Sequence, residues 1–493
     1  MSSILAIDQG TTGSTALVIH QDGTVLGRGY REVPQHFPRP GWVEHEPEDL
    51  FQTAREAARE AIARAGTTPS ALGITNQRET IVLWDRRTLA PLGRAIVWQD
   101  RRTAARCAEL RVQGMTDFLR DRTGLVPDPY FSATKLEALL GDRELRHRAE
   151  RGELAAGTVD SWLVARLTGG AVHATDHTNA SRTMLYGLEE RGWDPELLSL
   201  FGVPPAVLPE IVPSSGVLGE CRAEHFGAAL PIAGLAGDQQ AALFGQGCVE
   251  AGAAKNTYGT GTFLLMHTGS RRPHSQHGLL ATAACGPRGE PAYALEGSVF
   301  IAGAAIQWLR DGLGLVARAD ESEGLARSVP DTGGVHFVPA FVGLGSPHWE
   351  AEARGTVTGL TRGTTRAHLV RAALEAMAFG SAELVELMLG DAGLDAVALR
   401  VDGGASANDW LMQFLADVLG RPVERPAMVE TTALGAAGLA GLGVGVWRSV
   451  SEFVEGQRFA RFEPTGTEAD RAALRAGWDR AVHAALAWAR FGG

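Results

Sequence analysis

Lysine is nearly absent from this 493-residue chain. Only two of its 46 Lys and Arg side chains are lysines, Lys135 and Lys255. Arginine serves wherever any cation suffices, so the two positions that keep a compact ammonium are candidates for a need that a planar guanidinium does not meet. Cysteine is scarce as well. Cys107, Cys221, Cys248 and Cys285 form no CxxC pair and no metal-ligand spacing, so idle buried thiols in a reducing compartment are expected. No apolar run is long enough to cross a bilayer. The opening Met1-Ser2-Ser3-Ile4-Leu5-Ala6-Ile7-Asp8 has no basic segment ahead of an apolar one, so neither membrane insertion nor a signal peptide is expected. Positive charge is in deficit: a net charge of −11 and a pI near 5.7 disfavour a nucleic acid or an anionic membrane as partner. Also missing are a GxxxxGK[ST] phosphate loop and the Gly-rich, HRD and DFG motifs of protein kinases. What remains is a cytoplasmic protein with a small-molecule partner.

The length suits two large domains. Residues 4–7, 15–19 and 24–30 read as a meander of three strands, joined by Gly10-Thr11-Thr12-Gly13 and an Asp22-Gly23 turn. A helix is expected over 47–65. Pro47 suits its first turn, Leu50, Phe51, Ala54, Ala58, Ala61 and Ile62 recur at helical spacing, and Gly66 ends it. Near residue 253 the opening design returns, with a strand from Ala254, the turn Gly259-Thr260-Gly261 and a strand to Met266. A strand–turn–strand unit near the start of each half predicts two related α/β domains, 1–250 and 251–493, facing a central cleft. No low-complexity linker separates them, so they should pack closely and hinge.

Asp8-Gln9-Gly10-Thr11-Thr12-Gly13 places an acid at the end of a buried strand, just before a tight turn. Glycine lets backbone N–H groups approach an anion, threonine hydroxyls add donors, and the acid could hold Mg²⁺ through water. The second copy, Gly259-Thr260-Gly261-Thr262, makes two facing nests that could grip one polyphosphate. A third element runs from Arg400-Val401-Asp402-Gly403-Gly404 through Asn408 into a helix to about Leu419, a turn suited to adenine and ribose. Each alone reads as an ordinary turn; all three in order point to a nucleotide site. Two halves with a nest each suggest the actin-like (ribonuclease H-like) architecture.

A second constellation suits a neutral polyol. Gly73-Ile74-Thr75-Asn76-Gln77-Arg78-Glu79-Thr80 ends a strand on a cation beside an anion, which supplies both donors and acceptors for hydroxyls. Trp98 and Phe263 offer apolar walls, Tyr130 adds a phenol, and Asp238 in Ala236-Gly237-Asp238-Gln239 suits a group that accepts a hydroxyl proton.

On these runs the sequence resembles the FGGY carbohydrate kinase family, in its glycerol-phosphorylating branch. The likeness also takes in Pro40–His45, Asn179–Leu185, 236–246, 255–261, Gly303–Asp311, Gly355–Glu375 and 400–408, and so covers nearly the whole chain. The resemblance implies direct transfer of the γ-phosphoryl group of ATP to glycerol with Mg²⁺, in a homo-dimer or tetramer. It implies that Arg78, Glu79, Trp98, Tyr130, Asp238, Gln239 and Phe263 bind glycerol, with Asp238 as base. Thr11, Thr12, Gly13, Thr15, Thr260, Gly303, Gln307, Gly404 and Asn408 would bind ATP, and Asp8 would organise the metal. Two other substrates for the same residues stay open, a pentulose or longer polyol, as does an actin-like ATPase that phosphorylates no small molecule.

Three departures stand out. Family members usually carry Arg where this chain has Thr15, and Trp where it has Ala138, which reads as a packing change. The Gly-Gly-Thr-Arg loop that binds fructose 1,6-bisphosphate in some members has no counterpart in 216–230, so that inhibition is not expected. His225-Phe226-Gly227 is similar to a loop phosphorylated in other members, but it is read here as a plain surface histidine.

Overall fold

The computed structural model describes residues 2–348, 350–395 and 398–491. Strands Ser3–Gln9, Gly13–His20 and Val25–Glu32 form the expected antiparallel meander. Ile4, Leu5, Ala6 and Ile7 are all buried, because the first strand is central and covered on both faces. Ala71–Asn76 and Leu230–Gly237 continue the sheet in parallel, and Ser215–Cys221 closes it antiparallel. The second half repeats this order. Ala254–Tyr258, Thr262–Gly269 and Pro291–Val299 make the meander, Leu399–Gly403 and Val423–Pro426 add in parallel, and Phe459–Phe462 closes antiparallel. One further strand, Leu280–Cys285, extends the far edge. Two sheets with one strand order make this the two-domain α/β architecture the sequence suggests.

Helix Pro47–Ala65 forms over the expected span and ends on Gly66 in the left-handed conformation (φ 63°). It buries Leu50, Phe51, Ala54, Ala58 and Ala61 on the first sheet, and full burial of a side chain the size of Leu or Phe is worth ~1.5–3 kcal/mol. A small sheet of Glu44–His45, Ala95–Ile96, Ile81–Asp85 and Leu154–Thr158 hangs from the first domain. It ends beside Trp98 and so sets one wall of the cleft.

The halves share a core. Helix Thr431–Gly443, from the second half of the chain, packs on helix Asp238–Gly245 and on strands of the first sheet. The backbone approach is so close that a Cβ on Gly73 would stand 2.1 Å from the Ala436 carbonyl oxygen, and one on Gly435 would stand 1.8 Å from that of Ala241. Ile4, Leu17, Ala233 and Phe244 join Leu434, Ala437, Trp447 and Phe453 in one apolar cluster. The four cysteines are free and buried, and burial raises each thiol's pKa. Among the described residues no helix is long and apolar enough to cross a membrane.

Two local expectations are overturned. His225 is not a surface histidine: it is buried, edge-on to Phe51 at 5.5 Å between ring centroids. The Arg59 guanidinium donates to the carbonyls of His225 (2.6 Å) and Glu224 (2.8 Å), and so docks the short helix Ala223–Phe226 against Pro47–Ala65. Ala138 is exposed, so its place in helix Ala133–Leu139 is not a packing position.

Candidate active site

Strand Ala71–Asn76 runs into a turn in which Glu79 adopts φ +61°, a conformation that costs a non-glycine residue free energy. The Thr80 N–H to the Arg78 carbonyl (2.7 Å) and the Ser132 hydroxyl to the Glu79 carbonyl (2.9 Å) hold it there. The turn delivers Arg78 and Glu79 to the cleft floor. Arg78 Nε lies 3.2 Å from Asp238 Oδ1 and 3.8 Å from Glu79 Oε1. Its Nη1 donates to Gln240 Oε1 (3.2 Å) and to Glu296 Oε2 (2.7 Å), and its Nη2 donates to Glu296 Oε1 (3.2 Å). Arg182 completes the cluster, donating from Nε to Glu79 Oε1 (2.7 Å) and from Nη2 to Glu296 Oε1 (2.9 Å).

Burial raises the Glu79 carboxyl pKa, with Arg78 and Arg182 opposing. Glu296 goes the other way. Burial disfavours its charge, yet Arg182 and Arg78 together hold its pKa down at about 2. Asp238, the first residue of helix Asp238–Gly245, is shifted up by burial, against the pull of Arg78. A carboxylate moved toward neutrality is a stronger base than a free one, and helix placement fixes its direction.

Above this floor lies a cavity of about 840 Å³. Trp98 and Tyr130 from the first half, with rings edge-to-face at 5.5 Å, oppose Phe263 and Phe300 from the second. Thr11, Thr12 and Thr260 line it as well, so both Gly/Thr turns reach the same space. Trp98 Nε1 donates to Thr11 Oγ1 (2.8 Å), which ties an apolar wall to the first turn. Arg78, Glu79, Asp238 and Gln239 stand outside the cavity lining, and Glu296 is the charged member of their cluster that reaches it. Gln239 accepts a hydrogen bond from the Lys255 ammonium, which also donates to Thr257 Oγ1 (2.7 Å).

The remaining candidates gather around the second turn rather than in the cavity. Gly303 N donates to the Gly259 carbonyl (3.1 Å), and a Cβ there would stand 2.5 Å from that oxygen, so helix Gly303–Asp311 can start only on a glycine. Gln307 is exposed one turn further on. Tyr258 pairs with Gly403 in the ladder; Gly404 beside it is exposed and faces open space. Asn408 caps helix Asp409–Leu419, its Oδ1 accepting from Leu411 N (2.9 Å). Gly13 and Thr15 lie on strand Gly13–His20, where Thr15 faces Asp8 across the ladder. Asp8 has its pKa raised to about 7, by burial first and then by the charge of Asp238. Among the described residues no cluster of three or more His, Cys, Asp or Glu is placed to hold a metal.

The profile of the FGGY family of carbohydrate kinases matches here twice: its N-terminal domain over residues 3–245 and its C-terminal domain over 254–444. The chain belongs to the FGGY family of carbohydrate kinases. This FGGY kinase is 55% identical over 491 residues to the glycerol kinase of Carboxydothermus hydrogenoformans, with 98% of each chain covered. It is 57% identical to that of Aromatoleum aromaticum, with 99% of each covered. Among solved structures it resembles Plasmodium falciparum glycerol kinase with ADP, with a TM-score of 0.94, 35% identity, and 99% and 98% of the two chains covered. The xylulose kinase of Rhodospirillum rubrum shares the fold, with a TM-score of 0.87 and 24% identity over 99% of each chain.

Sequence reasoning missed Glu296, Arg182 and Gln240 as members of the floor. Arg182 lies in the Asn179–Leu185 run and gave no chemical signal. Glu296 did give one: it is an acid in the middle of the otherwise uncharged, mostly apolar strand Pro291–Val299.

Proposed function

We propose that this FGGY kinase transfers the γ-phosphoryl group of ATP to a terminal hydroxyl of glycerol, giving sn-glycerol 3-phosphate and ADP. The observation that carries the reading is the cluster of buried Arg78, Glu79 and Glu296 with half-buried Asp238, behind a wall of Trp98, Tyr130 and Phe263. The cluster keeps both donors and acceptors free for a polyol. Arg78 Nη2 keeps one N–H beyond its bond to Glu296, and Glu79 Oε2 and Asp238 Oδ2 accept no bond from the described residues. Free donors beside free acceptors suit the hydroxyls of a small polyol, with its CH face on the rings.

Asp238 would take the proton of the attacking hydroxyl as the oxygen approaches phosphorus. Its raised pKa and its place at a helix start support that role. Gln239, held by Lys255, would bind the far end of the polyol. Thr11, Thr12, Gly13 and Thr260 would donate to the phosphates, with Gly303, Gln307, Gly404 and Asn408 along the nucleotide. Phosphoryl transfer has a loose transition state, so positioning and charge neutralisation carry most of the catalysis.

The acids present fit Mg²⁺. Asp8 has no hydrogen-bond donor among the described residues and a pKa raised to about 7 by burial and by Asp238, which a neighbouring divalent cation would reverse. One or two carboxylates plus phosphate oxygens are the usual Mg²⁺ set. Bound there, the ion would neutralise charge on the β- and γ-phosphates. The four free buried cysteines support a reducing, cytoplasmic setting. A homo-dimer or tetramer is the assembly to test by light scattering. The deciding experiment is a coupled assay of ADP release with glycerol, other polyols, xylulose and ribulose. Glycerol should lead by a wide margin in kcat/KM, and equal turnover of a pentulose would overturn the reading.

A further inference from the structure

We infer that Glu296, reaching from the second half of the molecule, is a positioning residue that orients Arg78 and Glu79 for the polyol, so that substrate recognition depends on the two halves being joined. The inference rests on the glycerol site proposed above and adds a residue to it.

The geometry is specific. Glu296 stands on strand Pro291–Val299, paired in the sheet with Leu265 on one side and Leu280 on the other. Its carboxylate makes its hydrogen bonds across the cleft, to Arg78 Nη1 (2.7 Å) and Nη2 (3.2 Å) and to Arg182 Nη2 (2.9 Å). Two Nη bonds fix the plane of the Arg78 guanidinium and leave Nε toward Asp238. The Arg182 bond acts one step further, because Arg182 Nε holds Glu79 Oε1. One carboxylate thereby sets the direction of both the cation and the anion of the polyol floor.

Burial makes this arrangement demanding. The side chains of Arg78, Arg182 and Glu296 are 2%, 0% and 4% exposed, so water is a poor substitute for a lost partner. Buried ion pairs contribute little net stability compared with apolar packing, but removing one member is costly. Without the Glu296 charge, Arg78 and Arg182 would turn to the nearest remaining anions, Asp238 and Glu79. Those are the two groups whose free oxygens the polyol needs. The Glu296 contacts therefore keep the arginines off the acceptors.

The test uses the full chain with Glu296→Gln, which keeps the shape and removes the charge. KM for glycerol should rise about tenfold to a hundredfold, the effect of a misplaced hydroxyl contact, while KM for ATP stays within about twofold. A change confined to packing would lower Tm without this split. Arg78→Lys supplies the second arm, since an ammonium cannot make the two-pronged contact. In that background Glu296→Gln should raise the glycerol KM by clearly less than it does alone, because only its hold on Glu79 through Arg182 is left to lose. Multiplying effects, or an unaltered glycerol KM in the single variant, would overturn the inference. If Glu296→Gln does not fold, Glu296→Asp decides. Its carboxylate is one carbon short of holding both arginines, so a raised glycerol KM supports the assignment and an unaltered one removes it. Absence of glycerol-dependent ADP release by the unmodified protein would instead strike the proposed function itself.

Discussion

The two Gly/Thr turns occupy matching places in their sheets and differ in length by one residue and in charge. In the first, Gly10 N donates to the Gly13 carbonyl (2.9 Å); in the second, Gly259 N donates to the Gly261 carbonyl (2.8 Å), and each joins two antiparallel strands in the middle of its sheet. Ahead of the first stands Asp8, an acid with no ion-pair partner among the described residues and a pKa raised to about 7. Ahead of the second stands Lys255, a buried ammonium bonded to Thr257 and Gln239, its pKa lowered by burial. One turn is short of positive charge and the other carries it. The duplicated fold thus sets a buried acid ahead of one turn and a buried ammonium ahead of the other.

The largest expected effect comes from the acid between the turns. Asp238→Asn keeps the size and loses the proton acceptor, so kcat should fall by ~10²–10⁴ with the fold intact. Activity above about a tenth of normal, well short of that range, would remove Asp238 from the role.

Asp8→Asn probes the negative turn and separates function from stability. Turnover should drop about a hundredfold, in line with loss of a charge-organising group, whereas the ligand-free protein should become more stable. The sign follows from the raised pKa. The folded state holds a proton that the unfolded state has released, so unmodified protein loses stability as pH rises from 3.8 to about 7, and the asparagine variant does not. Melting curves should coincide below the lower pH and separate by about 2 °C or more above the upper one. A variant that melts lower throughout would contradict the assigned charge state. By the same titration, kcat/KM of the unmodified protein should decline below about pH 7 as Asp8 takes up its proton.

Trp98→Ala tests the link between the first turn and the polyol wall. Loss of the ring and of its bond to Thr11 should cut the preference for glycerol over xylulose by about tenfold. An unchanged ranking would place selectivity elsewhere. The smallest effect is expected at Thr15, opposite Asp8 in the ladder. Thr15→Arg puts a cation on the turn that lacks one, so KM for ATP should fall about two- to fivefold, the size of a partly exposed charge contact. No change in KM or kcat would show that this position does not reach the nucleotide.

Much of the fold was legible because it is written in local patterns. The 47–65 helix carries its Pro start, its apolar stripe and its Gly stop within the segment, and the repeated strand–turn–strand design announced the duplication. The arginine–glutamate pair and Asp238 were visible as chemistry at strand ends. His225 was misread because the polarity of a histidine two residues before a glycine says nothing about a helix docking over it through Arg59. Glu296 was passed over because its partners lie 218 and 114 residues away.

By itself the sequence determined the opening meander, the 47–65 helix, the second strand–turn–strand unit and the residue types able to hold a phosphate or a hydroxyl. Each of these follows from short-range periodicity, turn chemistry and burial preference. Only the tertiary structure decided which charges face one another. Nothing in one dimension pairs Arg78, Arg182 and Glu296 with one another. They become an oriented, nearly water-free cluster because two sheets and the shared helix Thr431–Gly443 bring the second half of the molecule against the first. Charge pairing in a buried cleft depends on distance in space and on the exclusion of water, and neither has a signature in sequence spacing.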